Sequence, residues 1–247
     1  MEIHNICGPL DVPRIERIIG VICMNPITLS FVLSCLLSAA SFHSARPSVA
    51  AKEAFGAGWE RRWKCHTPEN WKVEREAGKP VLRMTMAGVP PKEIRRPGEY
   101  ALWLSKRWGD VEFTAQLRCD ETESNTARDA ILIFGYQDDT HFYYVHLAGR
   151  ADSVHNAIML VNGKDRQRID LFDPAHPSKP ALTDRQFHHV KIVRDVSSGS
   201  IKVYLDNSHD PILHAEDKTF LKGLLGVGSF DDTASFHSLA AKGETAN

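Results

Sequence analysis

Apolar and polar side chains alternate one for one along much of the chain. In GDVEFTAQLRC, Val111, Phe113, Ala115, Leu117 and Cys119 take turns with Glu112, Thr114, Gln116 and Arg118, the period of two expected of a half-buried strand. HHVKIVRDV repeats the pattern, with Val190 and Ile192 on one face and His189, Lys191 and Val193 on the other. IKVYLD sets Ile201, Val203 and Leu205 against Lys202, Tyr204 and Asp206. SSGS between these two runs has turn composition, which predicts a hairpin with matched apolar faces.

WKVER, VLRMTM, YALWLS, AILIFGY, HFYYVHL, NAIMLVNG, RQRIDLF, PILHA, LLGVGSF and ASFHSLA add further expected strands. No convincing amphipathic helix separates them, so the pattern predicts an all-β protein, an antiparallel sandwich or barrel rather than a βαβ fold. Gly, Pro and polar clusters such as GVPPKEIRRPG, DETESNTARD and FDPAHPSKPALTD fall between the runs and are expected as loops. Loops of this kind carry specificity on a rigid scaffold.

The long uncharged apolar run ITLSFVLSCLLSAA, residues 27–40, leads into small residues. That order predicts a secretory signal within a leader over residues 1–45, with cleavage after Ala40, Ala45 or Ala50. The preceding segment is long and partly acidic for a signal, which makes Met24 a better initiator than Met1. A membrane anchor over the uncharged span from Ile18 to Ala45, or a lipid anchor on Cys35, is the alternative. Residues 46–58 read as a linker and residues 59–243 as one domain. The chain is therefore expected to be exported, periplasmic or extracellular, with envelope association as an option.

Thirty basic and 31 acidic residues give a formal net charge of −1, which offers no excess positive charge to a nucleic acid. Without the leader only Cys65 and Cys119 of the five cysteines remain. An even pair in an oxidising compartment can form one disulfide or stay as two buried thiols, and the sequence leaves both open.

The succession WKVER, VLRMT, GDVEFTAQLR, ILIFGYQDDTHFYYVHL, IMLVNGKDRQRI, FHHVKIVRDVSSGSIKVYLDN and GLLGVGSFDDTASFHSLA resembles the concanavalin A-like, laminin-G-like jelly-roll superfamily, and within it the 3-keto-disaccharide hydrolase domain family. The resemblance implies two stacked, curved antiparallel sheets, with ligands held on a sheet face or at the rim. It also implies carbohydrate binding, hydrolysis of a disaccharide or polysaccharide, or polysaccharide lysis, and a protein–protein adhesion module on the same sandwich is a further alternative. The E-x-D-x-x-E strand of retaining hydrolases in this superfamily is absent. ESNTARDAI stands where the keto-disaccharide hydrolases show an Asn-Ser-Gly turn. Carbohydrate binding is accordingly the first expectation.

Two acidic pairs, Asp138–Asp139 and Asp231–Asp232, each precede a Thr between apolar runs. Asp accepts hydrogen bonds from its own downstream backbone, so both pairs are expected to be turns, and no metal site is expected. Calcium is the cofactor they would admit if they served one. Alternation in HFYYVHL places Tyr143, Val145 and Leu147 in the core and turns Tyr144 and His146 outward or into the groove, where they could meet a sugar. Arg128 and Asp129 read as an ion-paired ligand clamp. His189, Lys191 and Tyr204 would join them if their strands share that face.

Overall fold

The computed structural model describes residues 48–175 and 178–245. The expectations for the leader, its start and its anchor fall on residues 1–45, outside the described residues. Among the described residues the first seven strands are β1 (Val49–Glu53), β2 (Trp63–Cys65), β3 (Trp71–Glu76), β4 (Lys79–Met84), β5 (Glu99–Cys119), β6 (Asp129–Asp138) and β7 (His141–Ala148). Seven more follow: β8 (Ala157–Asn162), β9 (Gln167–Arg168), β10 (His188–Arg194), β11 (Ser200–Leu205), β12 (Leu213–Glu216), β13 (Gly223–Ser229) and β14 (Ala234–Thr245). Every pairing is antiparallel.

YALWLS and GDVEFTAQLRC, expected as two strands, are the halves of the 21-residue β5. Its first half pairs with β2 and β13, and its second half with β10 and β14. β5 thus belongs to both layers. One layer continues from β13 through β6, β7 and β8 to β9, and the other runs from β12, β11 and β10 across β5 to β14, β4 and β3. The alternating residues Phe113, Ala115, Leu117, Val190 and Ile192 of the second layer meet Leu132, Phe134, Tyr143, Val145 and Leu147 of the first in one core. A jelly-roll sandwich is the result, and the hairpin expected at SSGS is the β10–β11 pair, with Ile192 opposite Val203.

The expected linker also holds structure. β1 lies along β14, with Ala51 opposite Ala241, so the domain begins earlier than residue 59. Ala50, one of the three expected cleavage positions, lies inside this strand. RQRIDLF supplies only the two residues of β9, because Asp170 turns away to bridge Ala215 at the facing edge. Cys65 and Cys119 are two separate free thiols: Cys65 sits opposite Ala101 and Cys119 opposite Ala234, with the Cys119 thiol facing the Thr233 carbonyl at 3.5 Å. Burial pushes the Cys65 thiol up to about 12.

The first layer is buried on both faces. Beyond the central core, Tyr100, Ile131, Ile133, Phe142, Tyr144 and Met159 form a second apolar cluster with Ile94 packed against it. Ile94 belongs to the segment between β4 and β5, which is pinned at its far end. The Arg95 carbonyl accepts the Arg166 N–H at 2.9 Å, and Gly98 N–H donates to the Phe230 carbonyl at 2.8 Å. Tyr144 and His146 are 0% and 1% exposed, so neither faces solvent: Tyr144 lies in the cluster against which Ile94 packs, and His146 packs on Phe230 and His155. Burial of a full aromatic or aliphatic side chain contributes about 1.5–3 kcal/mol, which favours closing a segment over a face carrying Tyr100, Phe142 and Tyr144.

Candidate functional site

β6 begins, and β7 and β13 end, at one rim of the first layer, and this brings distant parts of the sequence together. Asp129 opens β6 opposite Ala148. Its Oδ1 accepts the Ser229 hydroxyl and the Phe230 N–H, each at 2.7 Å. Asp232, in the turn after β13, accepts the Asp129 N–H on Oδ2 at 2.7 Å and the Asn125 amide on Oδ1 at 3.3 Å. The FDDT turn expected at residues 230–233 is therefore present, and it does more than reverse the chain. One carboxylate oxygen each from Asp129, Asp231 and Asp232 lies within 4.8 Å of the other two.

His146 stands over this group from β7. Its Nδ1 lies 2.7 Å from the Val154 carbonyl oxygen and its Nε2 3.5 Å from Asp129 Oδ2. Its ring packs on Phe230 at 5.7 Å and on His155 at 5.2 Å. Phe230 is itself covered by two guanidinium groups, Arg166 at 3.8 Å and Arg95 at 5.0 Å from the ring centroid, a cation–π arrangement that holds both side chains at the rim. Arg166 also donates to the Tyr144 hydroxyl at 3.3 Å. His155 faces Asp152 at 2.8 Å.

Electrostatics separate the three carboxyls. Burial works against a charge on Asp129, but His146, the Phe230 N–H and Ser229 outweigh it and hold the carboxyl below the usual range. Burial, followed by the Asp129 charge, pushes Asp231 up. The same two causes carry Asp232 up to about 7. Burial lowers His155, with Asp152 opposing it. One firmly ionised aspartate therefore sits beside two that resist ionisation, which is the signature of like charges crowded together.

Between these groups opens a cavity of about 420 Å³, lined by Arg95, Asn125, Arg166, Phe230, Asp231 and the two histidines among others. It falls in the range of small-ligand sites, about 300–1,000 Å³. A larger hollow of about 690 Å³ lies against Trp59, Trp63 and Trp71. Its charged residues Glu60, Lys64 and Lys72 are exposed, and Trp63 and Trp71 are only 4% and 5% exposed. The rim cavity carries the convergent polar chemistry, so it is the candidate site despite its smaller volume.

The sequence-predicted site residues divide sharply. His146 and Asp129 meet at the rim, and Tyr144 contributes a buried hydroxyl beneath Arg166. Arg128 and Asp129 do not clamp a ligand together. The Arg128 guanidinium is buried and donates to the carbonyls of Leu182 at 2.9 and 2.8 Å and of Glu121 at 2.9 Å, and to that of Asp184, so it ties loops. His189, Lys191 and Tyr204 lie on the outward side of the other layer, where Lys191 covers the Tyr204 ring at 4.6 Å. Asp138 is a turn residue, accepting the Thr140 N–H at 2.8 Å. Asp139 accepts the hydroxyls of Tyr100, at 2.6 Å, and Tyr136. Neither joins the acidic cluster. Arg95, Asn125, His155, Arg166 and Phe230 were not singled out from sequence. The one clue to them was the repeated DDT turn, which marked Phe230 and its neighbours.

This sandwich has the jelly-roll fold of several solved structures. Carbohydrate binding module CBM66 from Bacillus subtilis is similar to it at a TM-score of 0.52, with 16% identity, covering 73% of this chain and 95% of that one. Peanut lectin, solved with a 9mer peptide, gives a TM-score of 0.48 with 10% identity, covering 81% of this chain and 99% of that one. The lectin from Bauhinia forficata in complex with GalNAc gives 0.47 with 12% identity, covering 81% and 100%. No family model and no curated protein sequence matches the chain.

Proposed function

We propose that this chain is an exported carbohydrate-binding jelly roll whose sugar site is the rim cavity at Phe230. The observation that carries this reading is the convergence there of fixed donors and acceptors around a concave space. Arg95 and Arg166 are held in place by the Phe230 ring, while Asp231 lines the cavity beside them. Sugars present vicinal hydroxyls that both donate and accept, and adjacent guanidinium and carboxylate groups answer both roles. The fold shared with a carbohydrate binding module supports the reading by analogy.

The test is a glycan array followed by calorimetry on the full chain. Sugar binding that weakens at least about tenfold in Arg95→Ala and Arg166→Ala, each with unchanged circular dichroism, supports the reading. Binding insensitive to both changes removes the site from the proposal.

A hydrolytic reading, of the 3-keto-disaccharide hydrolase type, draws on the same three carboxyls, because paired carboxylates cleave glycosidic bonds. Binding is preferred because Asp129 and Asp232 are buried and already accept backbone hydrogen bonds. Asp231 and Asp232 both line the cavity, and Asp231 is the more exposed of the two. Reducing sugar released by wild type and not by Asp231→Asn would reverse the preference.

A further inference from the structure

Three arginines, Arg95, Arg150 and Arg166, line the rim cavity together with Asp231 and Asp232. Arg150 is committed elsewhere, with its Nε 3.0 Å from the Asp152 carboxylate. Among the described residues, neither the Arg95 nor the Arg166 guanidinium makes a direct ion pair with a carboxylate. What they touch is the Phe230 ring, at 5.0 and 3.8 Å from its centroid, and for Arg166 also the Tyr144 hydroxyl at 3.3 Å.

Two separate loops hold this pair together. Arg95 belongs to the segment between β4 and β5, and Arg166 to that between β8 and β9. The Arg166 N–H donates to the Arg95 carbonyl at 2.9 Å, and the Arg95 N–H donates to Asp165 Oδ1 at 2.8 Å. These contacts lock the two backbones side by side, and the shared ring positions the side chains. The neighbouring acid, Asp165, thus receives a backbone N–H and no guanidinium. Like charges gathered at one ring repel, and an anion in the cavity that meets both lowers that cost. An oxyanion suits them best, because the planar guanidinium fork matches paired oxygens. The remaining polar lining is of another kind. Burial and then the Asp129 charge push Asp231 up and Asp232 up to about 7, so these two oppose the arginines less than free carboxylates would. With Asn125 they can accept from and donate to hydroxyls.

Resting on the sugar-binding reading, we propose that the ligand is an acidic sugar, its carboxylate or sulfate bound by Arg95 and Arg166 and its hydroxyls met by Asn125, Asp231 and Asp232. Calorimetry on the full chain tests matched pairs: oligomers of glucuronate, galacturonate and mannuronate against their methyl esters, and sulfated galactose oligomers against their desulfated forms. The expected result is an acidic member bound about tenfold or more tighter than its neutral partner, with an affinity that falls as salt rises. That ratio should collapse toward one in Arg95→Gln and in Arg166→Gln. Arg95 is exposed, so its variant leaves the packing intact, and circular dichroism checks the other. Whichever of carboxylate and sulfate gives the larger ratio identifies the anion. Equal affinity for acidic and neutral members, with both lost in Arg95→Ala, overturns this inference and leaves the sugar site standing. A preference for the acid that persists in both glutamine variants overturns it as well. Failure of every glycan to bind removes the sugar reading along with it.

Discussion

Tyr143 and Tyr144 point to opposite faces of one strand, and neither side chain reaches solvent. The Tyr143 hydroxyl donates to the Asp217 carboxylate and accepts the Phe220 N–H at 3.0 Å. The Tyr144 hydroxyl accepts from Arg166 at 3.3 Å. The two faces of β7 thus belong to different apolar clusters, and each tyrosine hydroxyl is tied to a different connecting segment, that before β13 for Tyr143 and that between β8 and β9 for Tyr144.

These attachments differ in strength. Tyr143→Phe removes the partner of a partly buried N–H and of a partly buried carboxylate, so it should cost about 1–3 kcal/mol. Tyr144→Phe frees only a half-exposed guanidinium, which water can solvate, and should cost under about 1 kcal/mol. Urea unfolding of the two variants checks this ordering. Equal losses would mean that the Asp217 contact contributes nothing particular.

Arg128 should behave as a structural residue. Its buried guanidinium satisfies the Leu182, Glu121 and Asp184 carbonyls, and a hydrogen bond to a charged group is worth about 1.5–3 kcal/mol. Arg128→Met is expected to lower stability by at least about 2 kcal/mol, with Arg128→Lys rescuing little because an ammonium cannot fork to carbonyls on separate loops. Any glycan affinity should be unchanged in whichever variant remains folded. An affinity loss at full stability would restore Arg128 to the binding site.

Much of the fold was legible because side-chain alternation marks a strand with one wet face. β10, β11 and the second half of β5 follow that rule, and their inward residues are those read from the pattern. β6 and β7 break it. Ile131 to Tyr136 and Phe142 to Ala148 are buried on both faces, and continuous apolar runs such as ILIF are the mark of such strands. Alternation alone therefore did not show that Tyr144 and His146 are buried, although His146 lines the rim cavity. The site was legible only in pieces. Asp129, His146 and the Asp231–Asp232 pair each had a local reading, but their meeting depends on β13 pairing with β6, Val227 opposite Leu132. Arg95 and Arg166 reach Phe230 from loops with no periodic signal at all.

The approach of β13 to β6 allows a sharp test of that pairing. Gly223 lies where a Cβ would overlap the backbone of Gly135 and Tyr136, and the register shifts between Leu224 and Gly226. Backbone atoms cannot yield as a flexible side chain can. Gly223→Ala should therefore cost about 1–3 kcal/mol or more, measured as a fall in urea midpoint. Gly78→Ala offers a contrast: it meets no atom within 4 Å but has φ +78°, so only the strain of a left-handed residue, about 1 kcal/mol, should register.

Acid should loosen the junction of β1 with β2 through Glu53. This carboxyl is 3% exposed and accepts the Phe55 N–H at 2.6 Å, Arg62 at 2.7 and 2.9 Å and the Trp63 indole at 3.3 Å. Burial by itself would raise its pKa, but these donors outweigh burial and hold it below the ordinary 4.5. The folded value therefore lies under the unfolded one. Its contribution is fully present above about pH 4.5 and is lost as pH falls through the folded value. In Glu53→Gln this contribution is absent, so the stability gap between wild type and variant should be constant from neutral pH down to about pH 5 and then narrow on further acidification. Urea midpoints of both proteins across that range decide the matter. A gap that widens in acid would show that the Arg62 and Trp63 contacts do not favour the ionised carboxylate.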